Sequence, residues 1–299
     1  MLKIIWFVPP AVHLVAESRG YLQERGIAMQ TRLTHSSDEQ LEGLREGRYD
    51  AAVTAMDNVI LWNRRAEGPG YLVVAQVEAT TAISLVAQSK FRAIADLRGA
   101  RLLVDSARNG FVVALRMLLA DAGVEFDACE VVEAGGVKER FSGLLASKGD
   151  ATLLGPPFVG LAGARGLRRL ADVDAAYPGF PGQGIVVRAD LAGEQHTELL
   201  RWLQALELAR VASRRDAAGA AADLGATGLD SATAAAMIAA TAETLVPDRT
   251  GVEMLIHHRE RLGLPGGDDG YADVVDLEML VAALDGHGGE PAIQTRRTE

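Results

Sequence analysis

The segment Asp105-Ser106-Ala107-Arg108-Asn109-Gly110 gathers a hydroxyl, a guanidinium, a side-chain amide and several backbone N–H groups. Placed between a strand and a helix, such a run can cradle a carboxylate or sulfonate, because helix N-terminal amides and a planar guanidinium both favour oxyanions. The competing reading has Ser106 or Asn109 capping the helix and Arg108 in water. His13, in the first turn after Pro9-Pro10, could contact a ligand or exchange a proton near neutral pH, although a lone histidine is more often structural. Asp57-Asn58 could hold a polar ligand group or cap the following helix. Ser36 and Glu39 stand at capping-box spacing, which engages Ser36 and leaves Ser37 as the hydroxyl for a ligand. His13 and Asp57 are the two candidates for catalytic proton transfer.

These residues depend on elements whose pattern is legible. Lys3 to Val8 is a buried strand and Ala11 to Arg25 a helix closed by Gly26. Ala28 to Leu33 is a strand, Ser36 to Glu46 a short helix, Tyr49 to Thr54 a strand, and Val59 to Arg65 a helix. The same order returns about a hundred residues later. A strand at Arg101 to Val104 precedes a helix at Phe111 to Ala122, and a strand at Glu130 to Glu133 precedes a helix at Val137 to Ser147. A strand at Asp150 to Leu154 then leads through Gly155-Pro156-Pro157 into a last helical segment. Gly43, Leu44, Asp50 and Ala51 recur as Gly143, Leu144, Asp150 and Ala151.

Two βαβαβα units predict an α/β protein of two open parallel-sheet lobes. The apolar segment Ala75 to Gln88 can cross from one lobe to the other, and the strand Gly184 to Arg188 can cross back, giving a two-strand hinge. Residues 1–80 with 186–285 form the expected first lobe and residues 88–180 the second. Helices at Glu194 to Ser213, Ser231 to Glu243, Thr250 to Leu262 and Asp276 to Leu284 make up a helical C-terminal region, followed by a loose tail at 286–299.

In an open parallel sheet, ligands bind beyond the carboxyl ends of the strands. That rule selects Pro9, Pro10, His13, Ser37, Thr54, Met56, Asp57 and Asn58 from the first lobe. From the second it selects Ser106, Arg108, Asn109 and Gly110, then Gly135 and Gly136, then Pro156.

The composition narrows the partners. A net charge of -10 and a pI near 5.2 oppose broad nucleic-acid binding. The basic trio Arg165, Arg168 and Arg169 reads as a solvated helix end. Glu253 and His257 lie one turn apart without a third ligand, so no metal is expected and that face reads as solvated. Dinucleotide, Walker and Gly-x-Ser-x-Gly patterns are missing, and no cofactor is expected. Cys129 is the single cysteine, which excludes an internal disulfide. The first residues have strand length and no small-residue cleavage site, and no apolar run is long enough for a membrane span. The chain as it stands is expected to be cytoplasmic, or periplasmic or extracellular if a leader has been removed.

Three stretches carry a family resemblance: Ala16-Glu17-Ser18-Arg19-Gly20-Tyr21-Leu22 before Gly26-Ile27, Leu44-Arg45-Glu46-Gly47-Arg48-Tyr49-Asp50-Ala51-Ala52, and Asp96-Leu97-Arg98-Gly99-Ala100-Arg101. They resemble type II periplasmic solute-binding proteins of the nitrate, sulfonate and taurine ABC transporters, related in fold to thiamin-pyrimidine-precursor synthases. The resemblance covers roughly Met1 to Arg188. It implies a small anionic organic ligand held in a cleft, hinge closure, and an ABC transporter permease as partner if the protein is exported. The chain departs from exported members in lacking a visible signal peptide, and from the pyrimidine synthases in lacking their cysteine-rich iron motif. The alternative is a cytoplasmic enzyme on the same fold, such as a decarboxylase or dehydratase of a small carboxylic acid. A transcription-regulator effector domain would need a helix-turn-helix, and none precedes Lys3.

Overall fold

The structure, a computed structural model, describes residues 1–65, 68–108 and 110–285. Its strands are β1 (Leu2–Trp6), β2 (Met29–Leu33), β3 (Ala51–Ala55), β4 (Tyr71–Gln76), β5 (Ser84–Ala87), β6 (Arg101–Val104), β7 (Glu130–Glu133), β8 (Ala151–Leu154), β9 (Arg168–Asp172) and β10 (Gln183–Arg188). They form two five-stranded sheets, ordered β2-β1-β3-β10-β4 and β7-β6-β8-β5-β9. The order is the same in both. In each, the three strands of the repeat run parallel, as β2, β1 and β3 do in the first sheet and β7, β6 and β8 in the second.

The sheets are mixed rather than wholly parallel, and the reason is the crossing. β5 enters the second sheet from the first and runs antiparallel to β8 and β9. β10 returns to the first sheet and runs antiparallel to β3 and β4. A strand that arrives from the opposite lobe enters from the cleft end, so it points against strands whose carboxyl ends face that cleft. The apolar stretch Ala75 to Gln88 is accordingly two strand pieces with a turn between them. β9 is a strand where the trio of arginines suggested a helix end. Among the described residues it pairs only with β5, and its exposed Arg168 and Arg169 suit an edge strand that must not recruit another chain.

The four residue identities between the halves have one structural meaning. The Asp50 carboxylate accepts the Lys3 backbone N–H at 2.7 Å, and the Asp150 carboxylate accepts that of Arg101 at 3.0 Å. Each aspartate thus ties the entry of one repeat strand to the start of the next. Leu44 and Leu144 are wholly buried, as are Ala51 and Ala151. At Gly43 a Cβ would meet the Tyr49 ring at 2.2 Å, and at Gly143 the Leu103 side chain at 3.0 Å, so both positions are tight against a neighbouring side chain.

Long helices at Gly193–Arg215, Ser231–Ala239, Arg249–Arg261 and Glu278–Asp285 follow β10, as the periodicity predicts, with a further helix at Ala217–Gly225. Trp202, Leu203 and Leu206 of the first pack with Val12, Val15 and Ala16 against the first sheet. The helix Arg249–Arg261 packs on both lobes, touching the helices Asp57–Arg65 and Val112–Asp121. Among the described residues no helix is long and apolar enough to cross a membrane.

Candidate functional site

β3 delivers Thr54 and Met56 to the cleft end of the first sheet, and the helix Asp57–Arg65 starts immediately after. Thr54, Met56, Asp57 and Asn58 are all buried. Asn58 donates its Nδ2 to Thr54 Oγ1 at 2.6 Å, while its Oδ1 has no partner among the described residues. Asp57 is claimed by the protein itself. Arg259 donates Nε to Oδ1 and Nη2 to Oδ2, both at 2.6 Å, and the Gly110 backbone N–H reaches Oδ2 at 2.8 Å. The guanidinium is fully buried and completes its bonding with Nη1 on the Pro265 carbonyl at 2.8 Å.

This changes the reading of the Asp105 to Gly110 loop. Its amides do receive oxygens, but internal ones: two carboxylates and a hydroxyl. Ala107 N–H donates to Glu133 Oε1 at 3.2 Å, Arg108 N–H to Ser106 Oγ at 3.4 Å, and Gly110 N–H to Asp57. Of these three donors, the Gly110 N–H alone meets the opposite lobe's aspartate, and the other two are used within the second lobe. The Arg108 side chain is exposed, while its carbonyl accepts from Arg259 Nη2 at 3.4 Å. Asn109 lies outside the described residues. Gly110 sits at φ +68° with Asn58 Oδ1 3.1 Å from where a Cβ would be, so only glycine allows this approach of the lobes without strain.

A second point of approach lies between Gly136 and His35. A Cβ on Gly136 would come within 3.2 Å of His35 Nδ1, and His35 lies 3.7 Å from Glu139 Oε2. Ser36 caps its helix as expected, accepting from Asp38 and Glu39 N–H. Glu39 does not close the box on Ser36. Its carboxylate takes the Thr34 hydroxyl instead, and Ser36 N–H donates to Thr34 Oγ1 at 3.1 Å. Ser37 is buried beside this turn. Pro10 opens the helix Ala11–Ser18, its carbonyl accepting from His13 N–H at 2.9 Å, with Pro9 before it. Pro156 is exposed at the cleft end of β8.

Arg140 was missed by sequence reasoning. Gly135, at φ +85°, and Gly136 turn the chain from β7 into the helix Val137–Leu145. Arg140 then places its guanidinium at the carboxyl end of β8, donating Nη1 to Leu153 O at 3.1 Å and Nε to Gly136 O at 3.4 Å. Both acceptors are carbonyls; among the described residues no carboxylate lies within ion-pair distance. Burial pulls this guanidinium below its ordinary pKa, opposed by the fields of Asp105 and Glu139. A cation so placed is stabilised by an incoming anion.

The hinge contributes polar groups that the sequence did not signal. Gln183 at the start of β10 donates Nε2 to Glu78 Oε1 at 2.9 Å, joining the two crossing chains. Burial pushes the Glu78 carboxyl up, against the pull of the Gln183 hydrogen bonds. The adjoining Thr80 and Thr81 hydroxyls are buried without a partner among the described residues.

His13 is held away from a proton-transfer role. It packs at 4.8 Å from the Trp6 ring, and Trp202 Nε1 donates to its Nδ1 at 3.3 Å. Burial lowers its pKa to about 4, so it is neutral at pH 7 and its one acceptor is already used. The Glu253 to His258 helix face is not wholly solvated either. His257 is exposed, but His258 is buried against Tyr177 and Phe180. No cluster of metal-ligating side chains occurs among the described residues.

Against known proteins, the model of the family described as NMT1/THI5 like matches residues 11–209. The chain belongs to that family. The matched span of this NMT1/THI5-like chain carries β2 to β10, and β1 precedes it. Arg259, which locks Asp57, lies outside it. No curated protein matches by sequence. Among solved structures, the alkanesulfonate-binding protein SsuA from Xanthomonas axonopodis pv. citri, bound to MOPS, is 20% identical with a TM-score of 0.70, covering 88% of this chain and 93% of its own. A ligand-binding component of an ABC-type import system from Staphylococcus aureus, with zinc bound, is 14% identical with a TM-score of 0.74, covering 94% and 98%. The desulfurization enzyme DszB is 15% identical with a TM-score of 0.63, covering 96% and 100%. At these identities they establish the two-lobed α/β fold alone.

Proposed function

We propose that this NMT1/THI5-like chain is a binding protein whose lobes, residues 1–80 with 186–285 and residues 88–180, close on a small organic anion. The observation that carries this is Arg140, a half-buried guanidinium at the carboxyl end of β8 whose partners among the described residues are carbonyls. The helix N-terminus at Gly136 lies beside it, and both favour an oxyanion. SsuA, of the same fold and bound to the sulfonate MOPS, supports a sulfonate or carboxylate as the class. The ligand contacts in this reading are Arg140, Ser37, His35, Asn58, Gly136, Pro156 and the hinge hydroxyls of Thr80 and Thr81. Closure works by population shift, the ligand favouring the state in which Gly110 meets Asp57.

Binding without chemistry is the better reading because both proton-transfer candidates are engaged, His13 by Trp202 and Asp57 by Arg259. If the protein acts outside the cytoplasm, an ABC transporter permease is the partner that would read its closed form. The test is a thermal-shift screen of sulfonates and carboxylates, with calorimetry on the best compound and mass analysis of what is recovered. R140A should weaken binding by about tenfold or more, with R140K intermediate, since a hydrogen-bonded charge is worth about 1.5–3 kcal/mol. Unchanged affinity in R140A would remove the basis of this proposal, and a chemically altered compound would replace binding with catalysis.

A further inference from the structure

The first sheet has a second concavity at the end opposite the cleft. Strand and helix directions fix this placement: Tyr71 begins β4, Arg188 ends the antiparallel β10 and pairs with Tyr71 in register, and Arg45 and Arg65 end helices whose N-termini face the cleft. These residues, with Leu41 and Pro69, line a pocket of about 620 Å³. Last-turn arginines ordinarily compensate helix dipoles, but Arg188 comes from a strand and converges on the same hollow.

The charges there are unevenly matched. Arg188 is held by Asp190 in two hydrogen bonds of 2.9 and 2.6 Å, and Arg65 reaches Asp38 at 3.5 Å on the surface. Arg45 makes no hydrogen bond or ion pair to a described residue. Tyr71, its ring buried edge-on to Trp62 at 5.8 Å, makes no hydrogen bond through its hydroxyl to a described residue. Burial raises the phenol's pKa while Arg188 and Arg45 pull it down, so both cations act on that hydroxyl. It therefore stays protonated and can donate.

We propose that this pocket is a second anion site, distinct from the cleft, that takes a phosphate monoester. Arg45 supplies a charge with no carboxylate partner among the described residues, Tyr71 a hydroxyl donor, and Arg65 and Arg188 further N–H groups. Leu41 and Pro69 give an apolar wall for the organic part, and the volume exceeds what inorganic phosphate alone would fill. Guanidinium forks match the geometry of phosphate oxygens.

Calorimetric titration with phenyl phosphate, on the wild type and on R45A, Y71F and R140A, tests this. The wild type and R140A should bind alike, R45A should lose about tenfold or more, and Y71F about threefold, in keeping with a charged and a neutral hydrogen bond respectively. Inorganic phosphate should bind more weakly than the ester. Circular dichroism and melting of each variant confirm folding, and Y71F keeps the ring packing should R45A fail. No heat from the wild type at millimolar ester, unchanged affinity in both R45A and Y71F, or loss of binding in R140A would each overturn the assignment; the last would place the ester in the cleft.

Discussion

Asp57 and Arg259 stand 202 residues apart and form a bidentate ion pair with both bonds at 2.6 Å, the two side chains 2% and 0% exposed. Because Asp57 Oδ2 also accepts the Gly110 N–H, one carboxylate ties together the first lobe, the second lobe and the C-terminal helix that packs on both. Removing either partner leaves a buried charge uncompensated. D57A or R259A should therefore lose about 3–5 kcal/mol in urea unfolding. The double variant D57L/R259M should be closer to the wild type than the two single losses added together, since it strands neither charge. Additive losses would mean that the two residues do not act as a pair.

Gly110 is the point where backbone alone permits closure. At φ +68° an L side chain costs about 1–2 kcal/mol, and its Cβ would press on Asn58 Oδ1 at 3.1 Å. G110A should fold but favour an open form. A larger radius of gyration by small-angle scattering, with weaker binding of whichever compound the wild type selects, is the expected result. An unchanged radius would show that the loop adjusts without parting the lobes.

The lowered pKa of His13 gives stability a defined pH dependence. The unfolded chain takes up a proton near 6.5 and the folded one only near 4, so this contribution is complete above pH 6.5 and is lost as pH falls through about 4. The full change corresponds to ~3 kcal/mol. His258, also near 4, adds a change of the same sign. H13Q keeps an acceptor for the Trp202 indole and removes one titrating group, so it should flatten the acid-side slope between about pH 4 and 6.5. An unaltered slope would mean that His13 is not a buried neutral base.

The duplication was legible because its parts are local: capping at Ser36, alternation of apolar runs, and aspartates at matching offsets. Asp50 and Asp150 even announced their shared role by recurring beside Ala51 and Ala151. The antiparallel insertion of β5 and β10 follows from which end of a sheet the crossing chain enters, which no local pattern encodes. Arg259 was invisible for the same reason: it sits on a helix whose one singled-out face, Glu253 and His257, reads as solvated, and its meaning lies in a contact 202 residues away. Arg140 had a faint signal, a cation in the first turns of a helix after Gly135-Gly136. His13 misled because its neighbours Pro9 and Pro10 suggested a strand-end loop, whereas its ring faces the tryptophan of a helix that begins at Gly193.

Glu78 should make the hinge sensitive to pH in the opposite sense from His13. Burial raises its folded pKa above the ordinary carboxyl value, so its contribution to stability is fully present below that ordinary value and is lost as pH rises through the raised one. Its partner is Gln183 on the returning strand, and a Cβ on Gly182 would stand 2.5 Å from Glu78 Cβ, so the two crossing chains leave little room for an ionised, hydrated carboxylate. E78Q retains an oxygen for Gln183 Nε2 and cannot ionise. Urea unfolding of both proteins across pH 4 to 8 should show E78Q gaining on the wild type as pH rises, with the two converging at the acid end. Parallel profiles would place Glu78 in contact with solvent and remove it from any role in coupling proton uptake to the hinge.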